Sequence, residues 1–168
     1  MSDSLILDAE TKAEEAPGAH KAETRLWLRL LTCTTMVEAE IRKRLRETFD
    51  TTLPRFDLMA QLERAGEDGL QLSDLSRRMM VTNGNVTHLV DRLVESEHVV
   101  RRTAEHDRRV HYVALSPQGR AAFEAMAAAH ADWVAELFAG LKPSEIEALM
   151  RLLATTKASV GRLSTPKD

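Results

Sequence analysis

The sequence predicts a mainly α-helical protein that contains one small β-hairpin. Over most of residues 22–163, apolar side chains recur every three or four positions, which is the spacing of a helix that buries one face. Between residues 99 and 115 the pattern changes, and valine-rich segments flank a charged loop, as in two antiparallel strands. Pro54, Pro117 and Pro143 each stand where a new helix would begin, a position that proline favours.

Composition places the chain among soluble globular proteins. Of its 168 residues, 43% are apolar and 29% are charged, and no apolar run approaches the length of a membrane helix. Residues 1–20 are acidic, lack the features of a signal peptide, and are expected to be a disordered tail. Cys33 is the single cysteine, which excludes an intramolecular disulfide and a multi-cysteine zinc site. We therefore expect a cytoplasmic protein without a membrane partner.

The charge is unevenly distributed along the chain. The net charge is −3, but the segment from Arg77 to Arg109 holds seven arginines against five acids, a local charge of +2, so the remainder carries −5. A basic segment in an acidic protein is a weak indication of a polyanionic partner, because charged runs are most often only solvated faces.

The first predicted helix runs from Ala22 to Phe49. Its apolar face consists of Leu26, Leu30, Cys33, Val37, Ile41 and Leu45. A second face is apolar near Trp27 and becomes polar toward Arg42. Because Cys33 lies on the apolar face, we expect it to be a small core residue.

Two shorter helices follow, separated by a turn. Pro54 disfavours helix in the residue before it, so a helix is expected over Pro54–Ala65, and a second short helix over Leu72–Met80. Thr82 can then cap a further helix that ends near Glu97. The last two of these helices are joined by about three residues, which is typical of a helix-turn-helix.

The helix after this short turn begins with three poor helix formers, Asn83, Gly84 and Asn85. In a helix-turn-helix, the second helix enters the major groove of DNA with its N-terminus, where polar groups meet base edges and the backbone approaches phosphates. Asparagine can bond adenine through both amide groups, and glycine has no Cβ to keep DNA away. The alternative is a plain surface turn, but the hairpin that follows favours DNA binding.

Residues 98–116 complete the pattern with the predicted strands Val99–Val100 and Val110–Leu115. A helix-turn-helix followed by a basic hairpin is a winged helix-turn-helix. The run "DRLVESEHVVRRTAEHDRRVHYVALSPQGR" resembles the wing of the MarR (multiple-antibiotic-resistance regulator) family, whose motif is Asp-x-Arg at the tip followed by Leu-Ser/Thr-x-x-Gly. The matching segments here are Asp107–Arg109 and Leu115–Gly119.

The resemblance extends over the helical order from Ala22 to Leu163 and implies a role for the wing tip. It implies that Arg109 inserts into the minor groove and that Asp107 holds this arginine in place. His88 departs from the family, which often has arginine there, so base preference at this position is open. The residues predicted to bind double-stranded operator DNA are Thr82, Asn83, Gly84, Asn85, Thr87, His88, Arg101, Asp107, Arg108 and Arg109.

The resemblance also implies a homodimer, and the residues give an independent reason. The segments 21–49 and 117–163 carry apolar stripes too long for a winged-helix core to cover, so we expect them to be dimerisation helices around a DNA-binding lobe of residues 54–115. A two-fold dimer would set two recognition helices about one DNA turn apart. The expected function is that of a homodimeric transcriptional repressor without enzymatic activity or cofactor.

Family members bind their effector between the dimerisation helices and the DNA-binding lobe. The runs "RLWLRLLTC", "LPRFDLMAQLERA" and "RRMMVTNGNVTHLVDRL" resemble a subgroup that controls aromatic-acid catabolism and responds to hydroxycinnamoyl or related aryl-coenzyme A thioesters. The resemblance implies an aromatic acid or its coenzyme A thioester as effector. The residues predicted to bind it are Arg25, Trp27, Arg29, Leu31, Thr35, Met36, Glu38, Arg42, Phe56 and Met59.

The residues argue against several other functions. A thiol redox sensor is disfavoured because Leu28 occupies the position of the sensing cysteine in peroxide-sensing relatives, and Leu53 and Phe56 replace their tyrosines. A repressor of the same fold that responds to phenolic acids or antibiotics stays open. Metal sensing lacks histidine pairs at ligand spacing, catalysis lacks a nucleophile or phosphate motif, and the intact wing motif disfavours an interaction module that has lost DNA binding.

Overall fold

The computed structural model describes residues 21–103 and 111–164 of the chain. Over these residues the helices are α1 (Lys21–Phe49), α2 (Leu53–Ala65), α3 (Leu72–Met79), α4 (Asn83–Glu95), α5 (Pro117–Leu137) and α6 (Pro143–Ser164). The strands are β1 (Leu70–Gln71), β2 (Val99–Thr103) and β3 (His111–Leu115), and a 3-10 turn, Gly66–Asp68, precedes β1. The predicted fold class, mainly α-helical with a small wing, is confirmed.

The sheet has three antiparallel strands in the order β1-β3-β2, not the two that the sequence predicted. The missed strand, β1, is only two residues long and pairs Leu70 with Val113. Two residues are too few to show the alternating pattern that reveals a strand. Gly69, which precedes β1, has a φ of 70°, and a Cβ there would collide with the Val113 carbonyl, so the close strand approach requires glycine.

Predicted helix ends differ from the structure by two residues at most. The sequence placed the end of α4 near Glu97, but the helix ends at Glu95. The hydroxyl of Ser96 donates to the carbonyls of Arg92, at 3.1 Å, and Leu93, at 3.3 Å, and Glu97 then adopts a φ of 61°. These local contacts stop the helix and turn the chain toward β2.

The chain divides into two compact units, residues 1–130 and residues 131–168. In the first unit, a core of apolar side chains joins α2, α3, α4 and the sheet to the C-terminal part of α1. The side chains with essentially no exposure are Leu45, Leu58, Met59, Leu62, Leu75, Val86, Val90, Val99 and Val113. This core is shared by the helix-turn-helix and the C-terminal part of α1, and Val99 and Val113 join the strands to it.

Helix α1 buries only part of its apolar face within the chain. Ile41 and Leu45 are buried, whereas Leu26 is 53% exposed. Cys33 is exposed as well, so the expectation that it is a core residue of this chain is wrong. The helical spacing of the stripe was correctly predicted. The described part of the chain does not bury the N-terminal half of this stripe.

The Leu-Ser-x-x-Gly motif links the end of β3 to the start of α5. The hydroxyl of Ser116 donates to the Glu97 carbonyl at 2.6 Å and accepts from the Gly119 amide at 2.8 Å. The Ser116 amide donates to the His98 carbonyl at 3.0 Å. A Cβ on Gly119 would collide with that same carbonyl, so only glycine lets α5 approach the segment after α4 this closely.

The second unit consists of the end of α5 and helix α6. None of its side chains that the structure describes is buried. Between the two helices lies an apolar groove of about 550 Å³, lined by Ala131, Val134, Ala135, Phe138, Ala139, Leu141, Ile146, Leu149, Met150 and Leu153. A search for a helix long and apolar enough to cross a membrane finds none in the described part of the chain.

Candidate nucleic-acid interface and effector cavity

The turn between α3 and α4 places the start of α4 at the surface. Met80 ends α3 in the left-handed region, with φ 54° and ψ 38°, and is 91% exposed. Thr82 is extended and caps α4, its hydroxyl accepting from the Asn85 amide at 3.4 Å, as the sequence predicted. The predicted helix-turn-helix is therefore present, with Met80, Val81 and Thr82 as its connection.

Helix α4 has one buried face and one free face. Val86 and Val90 are fully buried, whereas Asn83, Gly84 and Asn85 are exposed in the first turn. Apart from the neighbouring residues and the backbone of α4 itself, no atom of the described chain lies within 4 Å of the position that a Cβ on Gly84 would take. The packing of the described chain therefore does not require glycine at this position.

The next exposed turn of α4 carries Thr87 and His88. The hydroxyl of Thr87 donates to the Asn83 carbonyl at 2.9 Å, which orients its oxygen along the helix surface. A hydroxyl that donates inward keeps its lone pairs free to accept from a ligand. Asn83, Asn85, Thr87 and His88 are thus exposed polar side chains in the first two turns of α4.

The arginines at the base of the wing contact the protein itself. Arg101 of β2 forms an ion pair with Asp91 of α4 through Nη2 and Oδ1. The neighbouring Arg102 donates from Nη1 to the Glu67 carbonyl at 3.1 Å. Arg101 was predicted as a DNA contact, whereas Asp91 was not singled out, because ten residues separate the partners and no helical or strand spacing relates them. The predicted wing-tip contacts Asp107, Arg108 and Arg109 lie outside the described residues.

The predicted effector residues do not all line one cavity. Arg42 and Phe56 line a cavity of about 710 Å³, while Arg25 and Arg29 line a small groove on α1 and Met59 lines a third cavity. On α1, Trp27, Leu31 and Met36 are exposed, the Thr35 hydroxyl donates to the Leu31 carbonyl, and Glu38 pairs with Arg42 at 3.0 Å. The broad face of α1 that the sequence suggested is thus divided among separate surfaces.

The 710 Å³ cavity combines aromatic and charged walls. Phe56 stacks on Phe123 with ring centroids 5.5 Å apart and lies 4.9 Å from the ring of His130. The cavity is lined by Arg42, Pro54, Phe56, Asp57, Ala60, Gln61, Glu63, Arg64, Arg78, Met79, Met80, Val81, Phe123 and His130. Its volume is within the range of small-molecule sites, and such sites combine apolar walls with a few convergent polar groups. The sequence did not suggest the contribution of α5, because Phe56 and His130 are 74 positions apart.

Asp57 introduces an acid into this cavity. Loss of water around its carboxyl raises the pKa of Asp57, the positive charge of Arg42 opposes this, and the carboxylate of Glu38 reinforces it. Arg42 therefore has two roles: it forms an ion pair with Glu38, and its positive charge lowers the pKa of Asp57. An anionic ligand placed beside Arg42 would add a second negative charge near Asp57 and raise its pKa further.

Comparison with known proteins relates this arrangement to transcriptional regulators. A profile of the MarR family matches residues 49–110. The HTH-type transcriptional regulator YkoM of Bacillus subtilis (strain 168) is 30% identical over 116 residues, 69% of this chain and 73% of YkoM. The crystal structure of a MarR family transcriptional regulator from Silicibacter pomeroyi is 30% identical with a TM-score of 0.74, covering 86% of this chain and 99% of that one.

A third relative was crystallised with nucleic acid. Sco3205, a MarR family transcriptional regulator from Streptomyces coelicolor solved in complex with DNA, has a TM-score of 0.74 at 21% identity. The similarity covers 86% of this chain and 91% of Sco3205, so the two proteins share the fold.

Proposed function

This chain belongs to the MarR family of winged helix-turn-helix transcriptional regulators, and we propose that it binds operator DNA as a homodimer and represses transcription until a small aromatic ligand releases it. The observation that carries the DNA-binding part is the start of α4. Its first turn presents Asn83, Gly84 and Asn85 to solvent, while the side chains of Val86 and Val90 are buried in the core. This is the arrangement of a helix that enters a major groove with its N-terminus.

The proposed DNA contacts divide into base readers and backbone anchors. Asn83, Asn85, Thr87 and His88 are exposed polar side chains in the first two turns of α4 and are proposed to meet base edges, and Gly84 lets the backbone come close. The helix N-terminus attracts phosphate, because its free amides and dipole favour negative charge. Following the family resemblance, Arg109 is proposed to enter the minor groove, with Asp107 as the residue that orients it.

Homodimer formation is supported by apolar surface in each unit. In the first unit, Leu26, Trp27 and Leu31 project from α1 with roughly half of each side chain exposed. In the second unit, Met150 and Leu152 are about two-thirds exposed beside the groove between α5 and α6. Contiguous apolar surface of this kind is typical of a protein interface, and a two-fold dimer would cover both copies of it.

The effector is proposed to bind in the 710 Å³ cavity beside α1, α2 and α5. Phe56 and Phe123 offer faces to an aromatic ring, and Arg42 and Arg64 offer donors to a carboxylate. The cavity accommodates an aryl acid, whereas the nucleotide part of a coenzyme A thioester would extend beyond it. We therefore propose an aromatic carboxylate or the acyl end of its thioester as effector, through differential binding to two states of the dimer.

Selection of operators from a randomised DNA library tests the DNA-binding part. The wild-type protein should select a pseudo-palindrome with half-site centres about 10 bp apart. Asn85→Ala should lose discrimination at one position per half-site, on the order of 1–3 kcal/mol. Gln118→Ala is the matched control, because it removes an exposed amide side chain from α5 and should leave the selected sequence unchanged. Selection of a single asymmetric half-site would contradict the proposal.

Calorimetry and operator-release assays test the effector. The aryl-coenzyme A thioester, the free acid and coenzyme A alone are compared on wild type and on Phe123→Ala, which removes one aromatic wall. Aryl ligands should bind wild type more tightly and lower operator affinity roughly 5- to 150-fold. Equal binding and release by the free acid would identify the cavity as an aromatic-acid site, and binding of coenzyme A alone would contradict the aromatic assignment.

A further inference from the structure

The ion pair between Asp91 and Arg101 joins the two elements that meet DNA in the proposed function. Asp91 lies on α4, two turns after the exposed Asn83–Asn85 segment, and Arg101 lies on β2 at the base of the wing. Both side chains are a little under half exposed, so solvent screens part of the electrostatic attraction between them. The pair joins two separate elements, unlike the Arg92–Glu95 pair, which lies within α4.

Strand register places this contact just before the wing tip. Arg101 is paired with Val113 of β3, so both side chains are on the same face of the sheet. On this face the side chain of Val113 is fully buried. Arg102, on the opposite face, donates to the Glu67 carbonyl of the 3-10 turn. The two consecutive arginines therefore fasten β2 on both of its faces, one to α4 and the other to the turn before β1.

An acid at this position has an electrostatic cost for a protein that binds a polyanion. A carboxylate near DNA repels phosphate, so Asp91 would be expected to weaken binding if its charge were its only effect. The same guanidinium that it holds is then less free to contact phosphate. The contact with Arg101 is the structural role that would offset both losses.

We propose that Asp91 is a positioning residue for DNA binding, which holds Arg101 and thereby sets the wing at a fixed distance from the recognition helix. The inference rests on the proposed DNA-binding function. Arg101 acts in this account through its contact with Asp91, not as an independent phosphate ligand. Fixing the wing before binding lowers the ordering cost that the complex would otherwise carry.

A double-mutant cycle on operator binding tests the inference. Asp91→Asn, Arg101→Gln and the double variant are compared with wild type, and Glu95→Gln is the matched control because it removes one carboxylate charge from the same helix. Asp91→Asn should lower operator affinity by roughly 2- to 10-fold, since the freed wing must be ordered on binding. Arg101→Gln should cost about as much, and the double variant little more, because both changes break one contact. Glu95→Gln should keep or slightly raise affinity.

Hydroxyl-radical footprinting and salt dependence supply readouts that a general loss of stability would not produce. In Asp91→Asn, hydroxyl-radical protection of the sugars outside each half-site should weaken, while protection of guanine N7 in the major groove from dimethyl sulfate should persist. If Arg101 bound phosphate directly, Arg101→Gln alone would reduce the slope of log affinity against log salt by about 1 and Asp91→Asn would increase affinity. That result overturns the inference. The charge-swapped pair Asp91→Arg with Arg101→Asp should recover part of the lost affinity, and a further loss would also overturn it.

The outcomes separate the two proposals. If wild type selects no DNA, the DNA-binding function fails and this inference fails with it. If wild type binds its operator and Asp91→Asn binds at least as tightly as Glu95→Gln, only the positioning role of Asp91 is refuted. Thermal unfolding of every variant checks that the pair, which is partly exposed, contributes little to global stability.

Discussion

Replacing Gly84 by alanine should make the protein more stable and a poorer DNA binder. Gly84 is the second residue of α4, and apart from its neighbours and the backbone of α4 no atom of the described chain lies within 4 Å of the added Cβ. Glycine in a helix interior is less favourable than alanine by about 1 kcal/mol. In the first turn we expect about half of this, which raises the melting temperature of a chain of this size by roughly 1–2 °C.

DNA binding by the same variant should change in the opposite direction. If the backbone at Gly84 approaches phosphate or a base edge, an added methyl group overpacks the contact and costs about 1–3 kcal/mol, or roughly 5- to 150-fold in affinity. Differential scanning calorimetry and fluorescence anisotropy on one preparation measure both effects. Wild-type operator affinity in Gly84→Ala would refute the close approach, and a lower melting temperature would refute the open space around Gly84.

Three further predictions follow from other parts of the chain. Gly119→Ala should destabilise the protein by at least 1–3 kcal/mol in chemical denaturation, because its Cβ would collide with the His98 carbonyl backbone. Asp57→Asn should raise thermal stability at neutral pH, because the pKa of Asp57 is higher in the folded state than in the unfolded state. This gain in stability should vanish as the pH falls below the ordinary pKa of aspartate, because the carboxyl is then neutral in both states. Met150→Glu, which places a charge on the exposed face of α6, should shift sedimentation equilibrium toward monomer, and an unchanged dimer would exclude this face from the interface.

Long elements were predicted well because their pattern is local. The apolar stripe of α1 and the change of period at β2 are both visible within a single window of sequence. The short strand β1 was missed because its pairing with β3 depends on residues more than forty positions away. Cys33 shows a different limit, since apolar spacing indicates which face is apolar but not whether the chain itself covers it.

The candidate site was predicted only where one helix carries it. The exposed first turn of α4 follows from the cap at Thr82 and the spacing of Val86 and Val90. The cavity depends on tertiary packing that brings Phe56 of α2 against His130 of α5, and no sequence spacing indicates this. The contact of Asp91 with Arg101 is equally invisible, because either charged side chain alone resembles a solvated surface group.

Ser116 and Gly119 connect the start of α5 to the segment between the recognition helix and the wing. Ser116 bonds to the Glu97 and His98 carbonyls just after the recognition helix, and it directly follows the last wing strand. Arg120, one residue beyond Gly119, pairs with Glu63 of α2 at 2.7 Å. These contacts connect the first turns of α5 to the segment after the recognition helix, to the end of β3 and to α2. In the proposed dimer, we expect an effector to change the separation of the two DNA-binding lobes and not the structure within each lobe. Released protein should therefore still recognise a single half-site.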